Sequence, residues 1–508
     1  MLNRSIPIIL ILMFALVACG GGSGSGTGGS GDGSSDAEIL DKLSDEEYNA
    51  LTEEEKFAVS NKALGTLFKG VPADEFFDLS GGVAAAALQS DENYVAKIEN
   101  DLSTEVNLNQ YRNLITQKYE FDSDREAVQY QLALLYEVPL GKTYFEIWMA
   151  YQLTNTILFS PATELDSVVY EDARIVFERL LNMIQDGSPI RDIVYEHMIS
   201  QENWRRFRSP EDNTREMMEI FLKRFIDAEV PLASMACKNW SLKEEDDEYM
   251  LVIGPDKNTE PVDILDITVV ECTEFYQAVA DHADLIPTIV STLVDIFFAG
   301  YFPEDKTPII DELVAGEPVT FNDIFKNILF SKEYLLNVER PKQFEEVFFA
   351  LANRIDWFAN RNFFKYLNRD SSSSKFPSLN NMKQAAMTYK LGRQRSVPLD
   401  TLSFAFYHKA VREKLLIDRK GNPNNNDDGG WQESFIAVDL TGDAFIDYVF
   451  LAVASRKASP EELVELSAII TDRGFDRDDR KMQQAMIILD YLSRLSEIYF
   501  TQPIEKEV

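Results

Sequence analysis

Residues 459–500 read SPEELVELSAIITDRGFDRDDRKMQQAMIILDYLSRLSEIYF, and this stretch decides the fold class. Ser459 and Glu462 stand three apart at its start, so hydroxyl and carboxylate can each satisfy an orphan amide of a helix N-terminus. Pro460 suits the first helical turn, and Gly474 marks a stop. The next run puts Met482, Ala485, Ile488, Leu489, Leu492, Leu495 and Tyr499 on one stripe of a helix over about 477–500. Only one face is apolar, so this helix packs on a core from the outside.

The same grammar recurs toward the N-terminus. Ser44-Asp-Glu-Glu47 and Thr52-Glu-Glu-Glu55 are two more capping boxes. After the second, Phe57, Asn61, Leu64, Leu67 and Phe68 nearly keep helical spacing, and Gly70 supplies the stop. Ser123-Asp-Arg-Glu126 opens another helix. Amphipathic stretches follow near 143–158, 166–186, 189–200, 211–227, 286–299, 320–331, 341–358 and 399–416, with Pro189 in a first-turn position.

One segment breaks the helical pattern. Tyr249, Leu251 and Ile253 alternate with their neighbours, Gly254 to Asn258 reads as a long turn, and Val262 to Val270 reads as a second strand. The expected fold is mainly α, a large multi-helix body with a small β-hairpin excursion near residues 248–271. Polar runs at Ser371–Ser374 and Gly421–Gly430 mark loops, and no fixed-period repeat occurs. The chain thus divides into residues 1–18, 19–36, a helical body over 37–370 and a C-terminal helical region over 371–508.

The first two segments carry an address. Arg4 precedes an apolar run from Ile6 to Val17, too short for a membrane span of about 20 residues, so residues 1–18 read as a signal peptide. It ends Leu16-Val17-Ala18-Cys19, which resembles the lipobox of bacterial lipoproteins. That resemblance implies lipidation of Cys19, which becomes the mature N-terminus and attaches the chain to a membrane. By resemblance to enterobacterial lipoproteins, a residue other than aspartate in the next position, here Gly20, implies the outer membrane rather than inner-membrane retention. Glycine, serine and threonine then dominate through Asp36. Such a segment has too little apolar area to offset its ordering entropy, and sixteen residues of it span roughly 20–25 Å as a flexible tether.

Cys237 and Cys272 are the other cysteines. In an oxidising envelope they read as one disulfide clamping the β-excursion, the alternative being two separate buried thiols. Closing about 35 residues stabilises by roughly 3.5–4 kcal/mol in the chain-entropy model.

The formal charge of the 508-residue chain is −36, which repels phosphate backbones and argues against nucleic-acid binding. Motifs nominate neither a catalytic residue nor a cofactor: the folded body contains no CxxC, HExxH, GxSxG or P-loop. His197, His282 and His408 are far apart, so a three-histidine metal site would require the fold to gather them. Asn424, Asn426 and Asp428 imitate the front half of a calcium loop, but its twelfth position is Phe435 rather than glutamate, and a solvated turn is the better reading.

Ser209-Pro-Glu-Asp-Asn-Thr-Arg-Glu-Met-Met-Glu-Ile-Phe221 resembles the N-E-N-x-x-R-E-L-M-E-L-F segment of a bacterial family, domain of unknown function 1800. Ile328 to Tyr334, Arg340 to Arg354 and Ser459-Pro-Glu-Glu462 are similar to its later segments in the same order, over roughly 180–500. Asp212 replaces the family's second asparagine, and its N-terminal histidine has no clear counterpart here. The resemblance implies a large, mostly helical exported protein and assigns no catalytic residue. Within that segment Arg215, Glu216 and Glu219 form a polar cluster on a helix capped by Asp212, with Arg215 and Glu219 as an i,i+4 pair in a structural role.

These readings describe a lipid-anchored cell-envelope protein that binds or scaffolds a protein or polysaccharide partner. The alternative is an envelope hydrolase of polysaccharide or peptide, which needs convergent carboxylates or a carboxylate with a histidine.

Overall fold

The computed structural model describes residues 39–77, 92–120, 127–155, 158, 170–225, 227–245, 248–359, 408, 411–417, 429–431 and 433–504. The lipobox and tether, the Ser123 helix start, the serine run at 371–374 and Asn424, Asn426 and Asp428 lie outside the described residues. The described residues form one compact unit, and its fold is mainly helical.

The capping boxes at Ser44, Thr52 and Ser459 form as the sequence predicts, each with both reciprocal hydrogen bonds. Glu53–Thr66 is a central helix: Phe57 and every residue from Val59 to Leu64 are buried in it. Its end differs from expectation. Leu67 is the C-cap, and Phe68 takes the left-handed conformation (φ 59°) that glycine was expected to supply. Gly70 serves close approach instead, since a Cβ there would lie 2.4 Å from the Ala350 carbonyl oxygen. The helix therefore packs against Phe344–Arg354 with no side chain interposed at that point.

Aromatic rings fill the interior behind these helices. Trp148, on Lys142–Asn155, meets Phe325 at 5.1 Å between centroids and donates its indole N–H to the Thr66 carbonyl at 2.9 Å. Leu285–Phe297 contributes Phe297 to the same cluster.

The β-excursion is two hairpins rather than one. β1 (Trp240–Glu245) pairs antiparallel with β2 (Glu248–Ile253), and β3 (Val262–Ile264) pairs with β4 (Ile267–Val269). The strand around Leu251 thus pairs backward with WSLKEE, whose charged end hides an alternation running from buried Trp240 through half-buried Leu242. The segment from 262 to 270 folds on itself because Leu265 and Asp266 both adopt positive φ, 53° and 63°, the geometry of a tight hairpin turn. Cys237 and Cys272 are disulfide-bonded with Cα atoms 4.3 Å apart, and they bracket both hairpins.

The C-terminal region closes onto the body. The last α-helix ends at Leu492, short of the expected 500, and a 3₁₀ turn at Ser496–Ile498 leads into β8 (Phe500–Thr501). β8 pairs with β5 (Arg340–Pro341), and β6 (Trp357–Ala359) pairs with β7 (Gly429–Trp431). These pairings trim the helix expected over 341–358 to Phe344–Arg354. Of the stretch expected as helix over 399–416, His408 and Val411–Ile417 are described, and the latter is π-helical.

Candidate functional site

Two helix faces and the C-terminal segment line a half-open inner chamber of about 100 Å³. From Glu53–Thr66 come Ala58, Asn61, Lys62, Gly65 and Thr66, at i, i+3, i+4, i+7 and i+8, which is one helix face. Lys342, Glu346, Ala350 and Arg354 recur every four residues and face them. Ser455 and residues 500–502 complete the wall. Six lining residues, including Ala58, Ser455 and Glu497, are shared with an open cleft of about 770 Å³, so chamber and cleft are continuous.

A buried polar network fixes the chamber's back. Arg340, 2% exposed, forms a two-pronged ion pair with Glu346, Nη2 to Oε1 at 2.5 Å and Nη1 to Oε2 at 2.9 Å. Arg340 Nη2 also donates to the Tyr334 hydroxyl at 2.7 Å, and that hydroxyl lies 2.7 Å from Thr66 Oγ1. Glu346 meanwhile accepts the Gln343 amide as the third residue of a capping box. Burial opposes the charge on Arg340, but Glu346 and Tyr334 outweigh it and hold the guanidinium pKa above its ordinary value.

The other cations at the chamber are satisfied differently. Lys62 Nζ donates to the carbonyls of Val338 (2.8 Å) and Gln502 (3.2 Å). Lys342 Nζ donates to those of Glu497 (2.8 Å) and Ile498 (3.4 Å). Arg354 donates to the Ala350 carbonyl and to Ser455 Oγ. Among the described residues none of the three meets a carboxylate at ion-pair distance. Burial, reinforced by Arg340, pushes the Lys62 ammonium well below its usual range. Burial, reinforced by Arg354, brings Lys342 down to about 7, and burial brings Arg354 down to about 10.

The carboxylates around the cleft are largely engaged. Glu497 pairs with Arg456 at 2.8 Å, Glu54 accepts the Lys457 amide, and Glu55 accepts the Thr52 amide in its capping box.

The residues singled out from the sequence lie elsewhere. Arg215 pairs with Glu211 at 3.1 Å rather than with Glu219, on a helix capped by Ser209 rather than Asp212. With Pro210 in the first turn the cap moves upstream, bringing Glu211 one helical turn before Arg215. Asn213, Thr214, Met217, Met218 and Phe221 take the buried face, leaving Arg215, Glu216 and Glu219 partly exposed. Burial raises the Glu219 pKa, with Arg215 opposing. His197 packs against the Phe221 ring, His282 Nδ1 accepts the Asp284 amide, and His408 lies beside the Tyr499 ring. Among the described residues no group of three or more His, Cys, Asp or Glu side chains is placed to hold a metal ion.

The chamber residues carried a signal that periodicity of apolar residues overlooks. A stripe of small and polar residues, Ala58-Asn61-Lys62-Gly65-Thr66, runs down a helix whose other buried positions include Phe57, Val59, Ala63 and Leu64. Comparison with family models, with curated proteins and with solved structures gives no match to this chain.

Proposed function

We propose that this protein is a lipid-anchored binding protein of the bacterial cell envelope, held at the outer membrane through Cys19, whose ligand enters the cleft and seats in the chamber. The observation that carries the binding reading is the cleft of about 770 Å³ narrowing to a chamber floored by Lys62, Lys342 and Arg354. That volume falls within the few hundred to about 1,000 Å³ of small-ligand sites, which place a few polar groups at a concave end. Glu346, Glu497, Glu54 and Glu55 are held in ion pairs or caps, an arrangement that suits recognition better than acid–base hydrolysis. The anchoring part rests on the LVAC sequence and the glycine-rich tether.

The test is sedimentation of the unlipidated Cys19→Ala chain with isolated cell envelopes, with and without Ala58→Trp. Ala58 lines both spaces, so the indole blocks the neck. Binding that is lost with the block supports the reading. Absence of binding, or binding indifferent to the block, contradicts it.

A further inference from the structure

We propose that the inner chamber is an anion-binding site that takes one compact oxyanion, a phosphate, sulfate or carboxylate group carried on the ligand whose remainder lies in the outer cleft. This deepens the binding reading and rests on it.

The first support is charge. Lys62, Lys342 and Arg354 converge on one small space inside a protein of net charge −36. The two carboxylates at that space, Glu346 and Glu497, are taken by Arg340 and Arg456. Lys62 and Arg354 are buried and Lys342 partly so, and among the described residues none has a carboxylate partner; cations so placed are costly, so a site that gathers them calls for a counter-charge.

Unused donors give the second support. An ammonium carries three N–H donors and a guanidinium five. Lys62 and Lys342 each donate to two carbonyls, and Arg354 uses Nε and Nη1 but not Nη2. Asn61 adds an independent pointer. It lines the chamber, is 7% exposed, and its Oδ1 is fixed by the Val71 amide at 2.9 Å. Among the described residues its Nδ2 has no hydrogen-bond partner. An oxyanion supplies acceptors for all of these donors at once.

Size sets the class. The chamber's 100 Å³ is smaller than the roughly 150 Å³ cavity that holds benzene, so it admits an ionic group and not a ring. The rest of the ligand must stay in the cleft.

Proton linkage follows. Lys342 is faced by Arg354, Arg340, Glu346 and Glu497, and Lys62 by Arg340, Lys342 and Glu333. The anion binds the protonated lysines, so binding takes up protons and strengthens as pH falls through about 7.

The experiment is calorimetric melting of the mature protein in detergent at pH 6.5 and 8.5, with sodium phosphate against sodium chloride at equal ionic strength. Phosphate is expected to raise the midpoint saturably at pH 6.5, with at least tenfold weaker affinity at pH 8.5. Asn61→Asp keeps the acceptor for Val71 and puts a carboxylate oxygen where the orphan donor stands. It is expected to melt at or above wild type and to lose the phosphate shift. Lys342→Met is a second variant, expected to weaken phosphate at least tenfold. Glycerol phosphate or glucuronate binding at least tenfold tighter than inorganic phosphate supports an anion carried on a larger ligand; equal or weaker binding overturns that part. No shift with phosphate, sulfate or acetate overturns the site, as does a shift that survives in Asn61→Asp. If the shift is absent while block-sensitive envelope sedimentation persists, the anion assignment fails alone. If that sedimentation is itself absent, the binding reading fails.

Discussion

Arg340 and Glu346 face each other through two hydrogen bonds of 2.5 and 2.9 Å, with both side chains almost fully buried. The pair ties β5 to the first turn of Phe344–Arg354, and so fixes where Lys342 and Arg354 stand around the chamber. It also removes Glu346 as a counter-charge for those two cations.

Glu346→Gln should therefore destabilise strongly. Removing one partner leaves a buried guanidinium uncompensated, a loss of about 3–5 kcal/mol. Denaturant unfolding of the variant checks this through a lower midpoint at unchanged slope. A loss below about 1 kcal/mol would show that water or another carboxylate compensates Arg340.

Stability should rise with pH above neutrality. Lys69, held by burial at about 7 and donating to the carbonyls of Leu135 and Val138, behaves like Lys342 in this respect. Between about pH 7 and the ordinary lysine value of 10.5 the unfolded chain binds protons that these folded-state lysines do not. Each contributes a slope of at most about 1.4 kcal/mol per pH unit in that window. Melting from pH 7 to 9.5 should show the rise, and saturating phosphate should flatten it by restoring protons to Lys342. A stability maximum at pH 7 would contradict the assignment.

The disulfide closes the base of both hairpins, joining the end of Val230–Ala236 to the start of Cys272–Asp281. Replacing Cys237 and Cys272 together by serine should cost about 3–4 kcal/mol, most of it through the freed unfolded chain. The measurement is the shift in denaturation midpoint. An unchanged midpoint would mean that the hairpins are held by packing alone.

Cys19→Ala should abolish incorporation of a palmitate analogue and release the protein from the outer-membrane fraction. Label retained in the variant, or an unlabelled and freely soluble wild type, would remove the anchor from the account.

Much of the helical scaffold was legible because its starts are local chemistry. Ser44, Thr52 and Ser459 cap helices using residues only three positions away. The hairpins were half legible: alternation showed at Leu251, but pairing depends on which strand lies alongside, and the charged end of β1 concealed its partner. Gly70 was misread as a helix stop because its reason is tertiary, the Ala350 carbonyl 2.4 Å from a would-be Cβ. The chamber was the least visible. Asn61 stood in the expected stripe as though it were a core position, and only the fold shows that it borders Lys342 and Arg354 from nearly 300 residues downstream. Conversely, Arg215 and Glu219 drew attention through their spacing, which any solvated helix face produces.

The most direct test of the anion chamber is anomalous diffraction from a crystal of this protein soaked in selenate, a tetrahedral oxyanion, at pH 6.5. A selenium peak is predicted among Asn61 Nδ2, Lys62 Nζ, Lys342 Nζ and the Arg354 guanidinium, absent in Asn61→Asp. An empty chamber in wild type, with selenate confined to surface lysines and arginines, would contradict it.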